Sequence, residues 1–139
     1  MLKYFYNLYF EYPTYEDFMS TFDLGYYTTQ GKAKQKIDFY KEKPGFKDFD
    51  TSCFHIKKIG VHFGECVDKD KAVLHIVTCE KEIDGGYEWT DFGAFATYCE
   101  AEEEMKKQKS KKKYKSAEFF IATQIPNKSC AWSEGFDRY

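Results

Sequence analysis

The sequence predicts an α+β fold made of two tandem β-β-α-β repeats, an antiparallel sheet with two helices packed on one side. Three observations carry this. Residues 4–46 and 72–114 align at an offset of 68 positions without a gap. The identical pairs include Asp23/Asp91, Gly25/Gly93, Thr29/Thr97, Ala33/Ala101, Lys41/Lys109 and Lys47/Lys115. Helix signals also fall at matching places in both copies, and a fixed internal period marks a duplicated unit.

The elements follow in order. Tyr4 to Glu11 is apolar nearly throughout, as in a strand buried on both faces. A loop opens at Pro13 and carries Tyr15, Phe18 and Met19. The second strand covers Thr21 to Thr28, with Phe22, Leu24 and Tyr26 on one face. Thr29 is placed to cap a helix over Gln30 to Lys43. Ala33, Ile37 and Tyr40 form its apolar stripe. Pro44-Gly45 ends it. Phe54 to Val61 is the third strand, where Lys57-Lys58 marks a switch of the apolar face.

The second copy repeats the order. Ala72 to Lys81 and Tyr87 to Ala96 are strands joined by Asp84-Gly85-Gly86, residues suited to a tight hairpin. Thr97-x-x-Glu100 reads as a capping box for a helix over Tyr98 to Lys111. Phe119 to Pro126 is the last strand. The copies divide the chain into 1–66 and 71–139, the latter including a C-terminal tail, within one compact monomeric globule. Copies this small share a core, since about 65 residues alone make a marginal one.

Composition narrows the class. Aromatic residues make 20% of the chain, with 12 Tyr, 14 Phe and 2 Trp. So many phenols cannot all be buried, because each hydroxyl seeks a partner. Tyr-rich surface is typical of binding interfaces. A net charge of −2 argues against a dedicated nucleic-acid binder. Five cysteines without a CxxC pair fit a reducing compartment. No apolar run reaches the roughly 18 residues of a membrane span. Together these predict a cytoplasmic protein.

Gly25-Tyr26-Tyr27-Thr28-Thr29, Lys43-Pro44-Gly45-Phe46-Lys47-Asp48 and Trp132-Ser133-Glu134-Gly135-Phe136 carry a resemblance. The chain resembles a small bacterial domain family of unknown function. Its members look like single β-β-α-β units with a PGFKD helix exit and a closing W-x-EGF. Here the two motifs are split: the first copy has PGFKD and the second has the Trp ending. The second copy has Lys112-Lys113-Tyr114-Lys115 at the helix exit. The resemblance implies no catalytic residue and no cofactor. Some members look like proteins encoded beside bacterial toxins, which implies an immunity or inhibitor role.

Chemistry-bearing clusters are few. Cys53, His55, His62 and Cys66 are zinc-type ligands, but C-x-H-x6-H-x3-C is not a zinc framework, so no metal is expected. Cys99 opens a helix, but the glutamates beside it oppose a thiolate. Seven lysines lie within 106–115. They complement the helix dipole, with Glu102–Lys106 and Glu103–Lys107 as i, i+4 pairs. Lys107, Lys111, Lys112 and Lys113 are the candidates for phosphate contact.

The expectation is a non-enzymatic protein-binding module of immunity or toxin-inhibitor type. Tyr12, Tyr15, Phe18, Trp89 and Trp132 are its candidate contacts to a protein partner, which the resemblance implies is a cognate toxin. The alternative is a nucleic-acid module using sheet aromatics and the lysine run. A third class is a small enzyme with Cys66 or Cys99 as nucleophile.

Overall fold

The computed structural model describes residues 1–14 and 19–137. It is α+β, with two three-stranded sheets and two helices. The strands are β1 (Leu2–Pro13), β2 (Met19–Tyr27), β3 (Phe54–His62), β4 (Leu74–Ile83), β5 (Gly86–Phe95) and β6 (Glu118–Gln124). The helices are α1 (Gln30–Tyr40) and α2 (Tyr98–Lys109). The sheets run β2-β1-β3 and β5-β4-β6, so the first strand of each copy is central. The β-β-α-β order occurs twice, as the sequence predicts.

Identical residues of the two copies do the same local work. Asp23 and Asp91 lie directly before β-bulges, at Leu24-Gly25 opposite Leu8 and at Phe92-Gly93 opposite Val77. Gly25 and Gly93 sit there at φ +106° and +122°, a backbone that side-chain-bearing residues rarely adopt. Thr29 and Thr97 cap α1 and α2, each hydroxyl accepting the amide three residues on. The Thr97 hydroxyl also donates to Glu100 Oε1 at 3.0 Å, closing the expected box through side chains. Ala33 and Ala101 are fully buried under their helices. Nothing in the structure explains the identity of Lys41/Lys109 or Lys47/Lys115.

The gap-free alignment slips in the first strand. Tyr9 pairs with Asp23, whereas Thr78 pairs with Asp91. Phe5, Asn7, Leu8 and Phe10 are buried on β1, and Leu74, Ile76, Val77 and Cys79 on β4. The structural offset there is 69, because Tyr9 and its partner Asp23 are 14 positions apart whereas Thr78 and Asp91 are 13 apart. One residue matters, since it moves every side chain to the other face.

Helix ends also differ from expectation. α1 stops at Tyr40, before Lys43, because the residue ahead of Pro44 resists helical backbone. Ala33 and Tyr40 are buried as the predicted stripe requires, and Ile37 packs beside them.

The chain forms two compact units that do not follow the sequence division at 1–66 and 71–139. The α1 unit comprises Tyr4–Ile59 and Pro126–Tyr139, and the α2 unit comprises Met1–Lys3 and Gly60–Ile125. The tail after the second copy therefore packs with the first. Asn127 N–H donates to Tyr26 O at 2.8 Å, and Thr28 N–H donates to Asn127 Oδ1 at 3.0 Å. The Tyr40 hydroxyl donates to Ala131 O at 2.5 Å. Phe136 N–H donates to Pro44 O at 2.9 Å. The Phe136 ring sits in a cluster with Phe10, Tyr12, Phe22 and Phe46, with centroids 4.7–6.0 Å away.

This brings together the two motifs that the sequence splits. Gly45 and Gly135 both have positive φ, +84° and +86°. A Cβ on Gly45 would collide with the Phe136 carbonyl and ring, and a Cβ on Gly135 with the Pro44 backbone. The α2 unit has Lys112-Lys113-Tyr114 as a short 3-10 turn at the equivalent place. Its second layer is Phe92, Tyr114 and Phe119, packed ring against ring.

Two expected outcomes follow. Gly45→Ala and Gly135→Ala should each cost about 2–4 kcal/mol in urea unfolding, from backbone strain and overpacking. Their double mutant should cost clearly less than the sum, since both break one contact. Gly31→Ala on α1, where a Cβ would meet only the Thr29 hydroxyl at an ordinary 3.9 Å, should gain up to about 1 kcal/mol. Tyr27 and Tyr40 are the second case. Burial pushes both phenols up, with Tyr40 and Asp23 adding to the effect at Tyr27, and with Cys130 and Asp23 at Tyr40. A phenol raised in the fold stabilises fully below its ordinary value of about 10, and that contribution is lost as pH rises beyond it. The urea midpoint should therefore begin to fall as pH rises past about 10 and keep falling above it, and Tyr27→Phe should flatten the fall.

Candidate functional site

β4 pairs with both β5 and β6, and the registers fix which side chains share a face. Glu80 lies between Trp89 and Glu118, and Thr78 lies between Asp91 and Phe120. Glu82 pairs with Tyr87. Directly paired residues share a face and neighbours along a strand alternate. Tyr87, Trp89, Asp91, Glu82, Glu80, Thr78, Glu118 and Phe120 thus occupy one face of the sheet. The helix is on the other: His75 packs edge-on against Tyr98 at the start of α2, and Lys109 of α2 lies over the Phe119 ring.

Toward the β4–β5 hairpin the helix-free face is aromatic and exposed, whereas Leu74, Ile76 and Ala94 farther along the same face are buried. Tyr87 is 64% exposed, Trp89 61% and Phe120 41%. The Trp89 and Phe120 rings stack across the central strand with centroids 6.0 Å apart and planes 28° apart. Around them stand Glu80, Glu82, Asp91 and Glu118. Asp91 Oδ1 accepts the Thr78 hydroxyl at 2.9 Å. None of the four carboxylates forms an ion pair among the described residues. The same-face residues of the three strands include no lysine, arginine or histidine. In the first copy the Trp89 position is Thr21.

The other predicted contacts lie elsewhere. Tyr12 is half-buried, with its ring against Phe10, Phe22, Phe49 and Phe136, so it is a core residue of the α1 unit and not an exposed anchor. Trp132 stacks on Phe22 at 4.2 Å and fastens the tail, though it stays 44% exposed. Tyr15 and Phe18 lie outside the described residues. Of the three that are described, Trp89 is the one on an aromatic face not used by its own core.

The lysine run is exposed as expected. Lys107 is on α2, and Lys111, Lys112 and Lys113 follow it. Lys113 lies over Tyr114 at 4.9 Å. Lys107 is carried by α2 itself, and Lys113 lies beside Tyr114, whose ring packs on Phe92 and Phe119.

The thiol and imidazole residues do not converge. Cys53 is half-buried at the end of a 3-10 turn, and burial pushes its thiol up. His55 stacks on Tyr9 at 5.1 Å. His62, Cys66 and Cys99 are exposed. Burial likewise raises the Cys79 thiol beneath the α2 sheet. Among the described residues no group of three His, Cys, Asp or Glu is placed to hold a metal. Among them, too, no helix is long and apolar enough to cross a membrane.

Sequence reasoning found Trp89 and missed its neighbours. Tyr87, Glu82 and Glu80 were countable from the two-residue turn at Asp84-Gly85, which sets Ile83 opposite Gly86. Phe120 and Glu118 depend on the β4–β6 register, for which the sequence holds no short-range signal. In comparisons with protein-family models, curated proteins and solved structures, nothing matches the chain.

The two tryptophans should separate by stability. Trp132→Ala should cost about 2 kcal/mol, because it strips a ring from the core. Trp89→Ala should cost less than about 1 kcal/mol, as at other exposed positions. Urea unfolding of the two variants measures the contrast.

Proposed function

We propose that this chain is a protein-binding module that works by covering a partner's surface, in the manner of an immunity or inhibitor protein. The single observation that supports the reading most is the exposed Trp89–Phe120 stack on the helix-free face of the α2 sheet. Large rings held at fixed positions, with little conformational freedom left to lose, are the side chains that dominate interface energetics. The toxin-linked role comes from the resemblance of the PGFKD and W-x-EGF segments to the small bacterial family, and a cognate toxin is the partner it suggests.

The nucleic-acid alternative needs sheet aromatics and lysines to act on one ligand. Here the aromatics share their face with four carboxylates, and Lys107 is carried by the helix on the opposite face. A phosphate backbone tracking across Trp89 would meet Glu80 and Glu118, which repel it.

The test is co-expression of the full chain with the product of the adjoining reading frame, followed by size-exclusion chromatography and affinity measurement. A stoichiometric complex is expected, weakened at least about 30-fold by Trp89→Ala with Phe120→Ala, the loss typical of a central aromatic anchor. Absence of a complex would count against the reading. So would retarded migration of single-stranded oligonucleotides that is lost in Lys111→Glu with Lys112→Glu.

A further inference from the structure

We infer that the Trp89–Phe120 face receives a cationic protein segment, one that inserts arginine or lysine side chains over the two rings. This rests on the protein-binding reading above and adds the chemical class of the partner. The aromatic sheet face makes the site, and its charge selects the occupant. Two exposed rings stacked at 6.0 Å offer electron-rich faces to a cation. Every ionisable side chain placed around them by the β4, β5 and β6 registers is a carboxylate: Glu80, Glu82, Asp91 and Glu118.

The arrangement has a cost within the isolated unit. Glu80 and Glu118 are direct cross-strand partners. Like charges placed directly opposite destabilise a sheet. Elsewhere on this unit opposite charges are mixed: Lys81 is paired with Glu88 on the helix side of the same hairpin. A cation seated between Glu80 and Glu118 relieves the repulsion and meets the Trp89 ring beside it. An acidic segment would face four like charges, and a purely apolar one would desolvate them without return. Guanidinium suits the site better than ammonium, because it stacks flat on a ring while donating sideways to carboxylates.

The test uses the full chain with Trp132→Phe, which leaves Trp89 as its one indole. An acetylated, amidated hexa-arginine peptide is titrated while Trp89 fluorescence is read, with hexaglutamate as the control. A saturable change with hexa-arginine and none with hexaglutamate is expected. Raising sodium chloride to about 0.5 M should weaken binding about tenfold, since exposed charges are screened. Glu80→Gln with Glu118→Gln should weaken it by a similar factor. That pair is nearly isosteric and removes repulsion, so circular dichroism should show the fold intact. No saturable response, an equal response to hexaglutamate, or unchanged affinity in the glutamine variant would overturn the inference.

The two readings can fail separately. If the native complex forms, depends on Trp89 and ignores Glu80→Gln with Glu118→Gln, protein binding stands and the cationic occupant falls. If hexa-arginine binds as expected but no protein complex forms, the cationic site stands and the covering role falls.

Discussion

Pro44 and Gly135 cross at backbone contact, and the amide of Phe136 donates to the Pro44 carbonyl at 2.9 Å. This crossing seats the Phe136 ring between Phe22 and Phe46. It leaves no room for a Cβ on either glycine. The consequences spread outward. Because the tail is fixed there, Ala131 accepts the buried Tyr40 hydroxyl, and Trp132 is laid on Phe22. Trp132 and Tyr12 are both engaged in that packing, Trp132 with part of its ring still exposed. The α1 unit thus consumes most of its aromatic content in its own core. The α2 unit, with Lys112-Lys113-Tyr114 at the equivalent turn, keeps a smaller ring layer beneath its helix and presents other rings outward.

The bulges at Gly25 and Gly93 are the second constraint. Each puts two residues opposite one, so the part of the strand before the bulge is turned relative to the part after it. In β5, Trp89 and Asp91 share a face with Glu80 and Thr78, and Phe92 lies under the helix against Phe119. Beyond the bulge it is Ala94, opposite Ile76, that joins the Trp89 face. The paired Asp residues support the same feature. Asp23 Oδ1 accepts the Gly25 amide at 2.9 Å and the Asn7 side chain at 3.0 Å, while Asp91 holds Thr78.

Much of the fold was legible because it rests on local chemistry. Thr29 and Thr97 announce helix starts, Pro44 a helix end, and Asp84-Gly85 a two-residue turn. The β-β-α-β order follows from these signals and from apolar periodicity. What was not legible is long-range. The offset of 69 in the first strand is hidden because a one-residue difference in the spacing of paired positions leaves the composition of both strands unchanged. The return of the tail to the first copy depends on the shape of the Gly45–Gly135 crossing, which no pattern within either copy encodes. Trp89 stood out as a rare residue, yet Trp132 did so equally. Only burial separates a ring stacked on Phe22 from one stacked on an exposed Phe120. The lysine run drew attention by density, although its position after α2 is what a solvated helix end requires.

Net charge does not describe the charge of this surface. The whole chain carries −2, which is close to neutral for 139 residues. That sum averages a lysine-rich helix end against a carboxylate-lined sheet face in one unit. A partner feels the local field, since at physiological salt charges are screened beyond roughly 8 Å. The strand registers give Trp89 Glu80 as its direct neighbour, Asp91 two residues along its own strand, Glu82 diagonally across, and Glu118 one strand further on. A weakly acidic protein can therefore present a strongly acidic aromatic face. The strands place that face opposite the helix, where α2 leaves it uncovered.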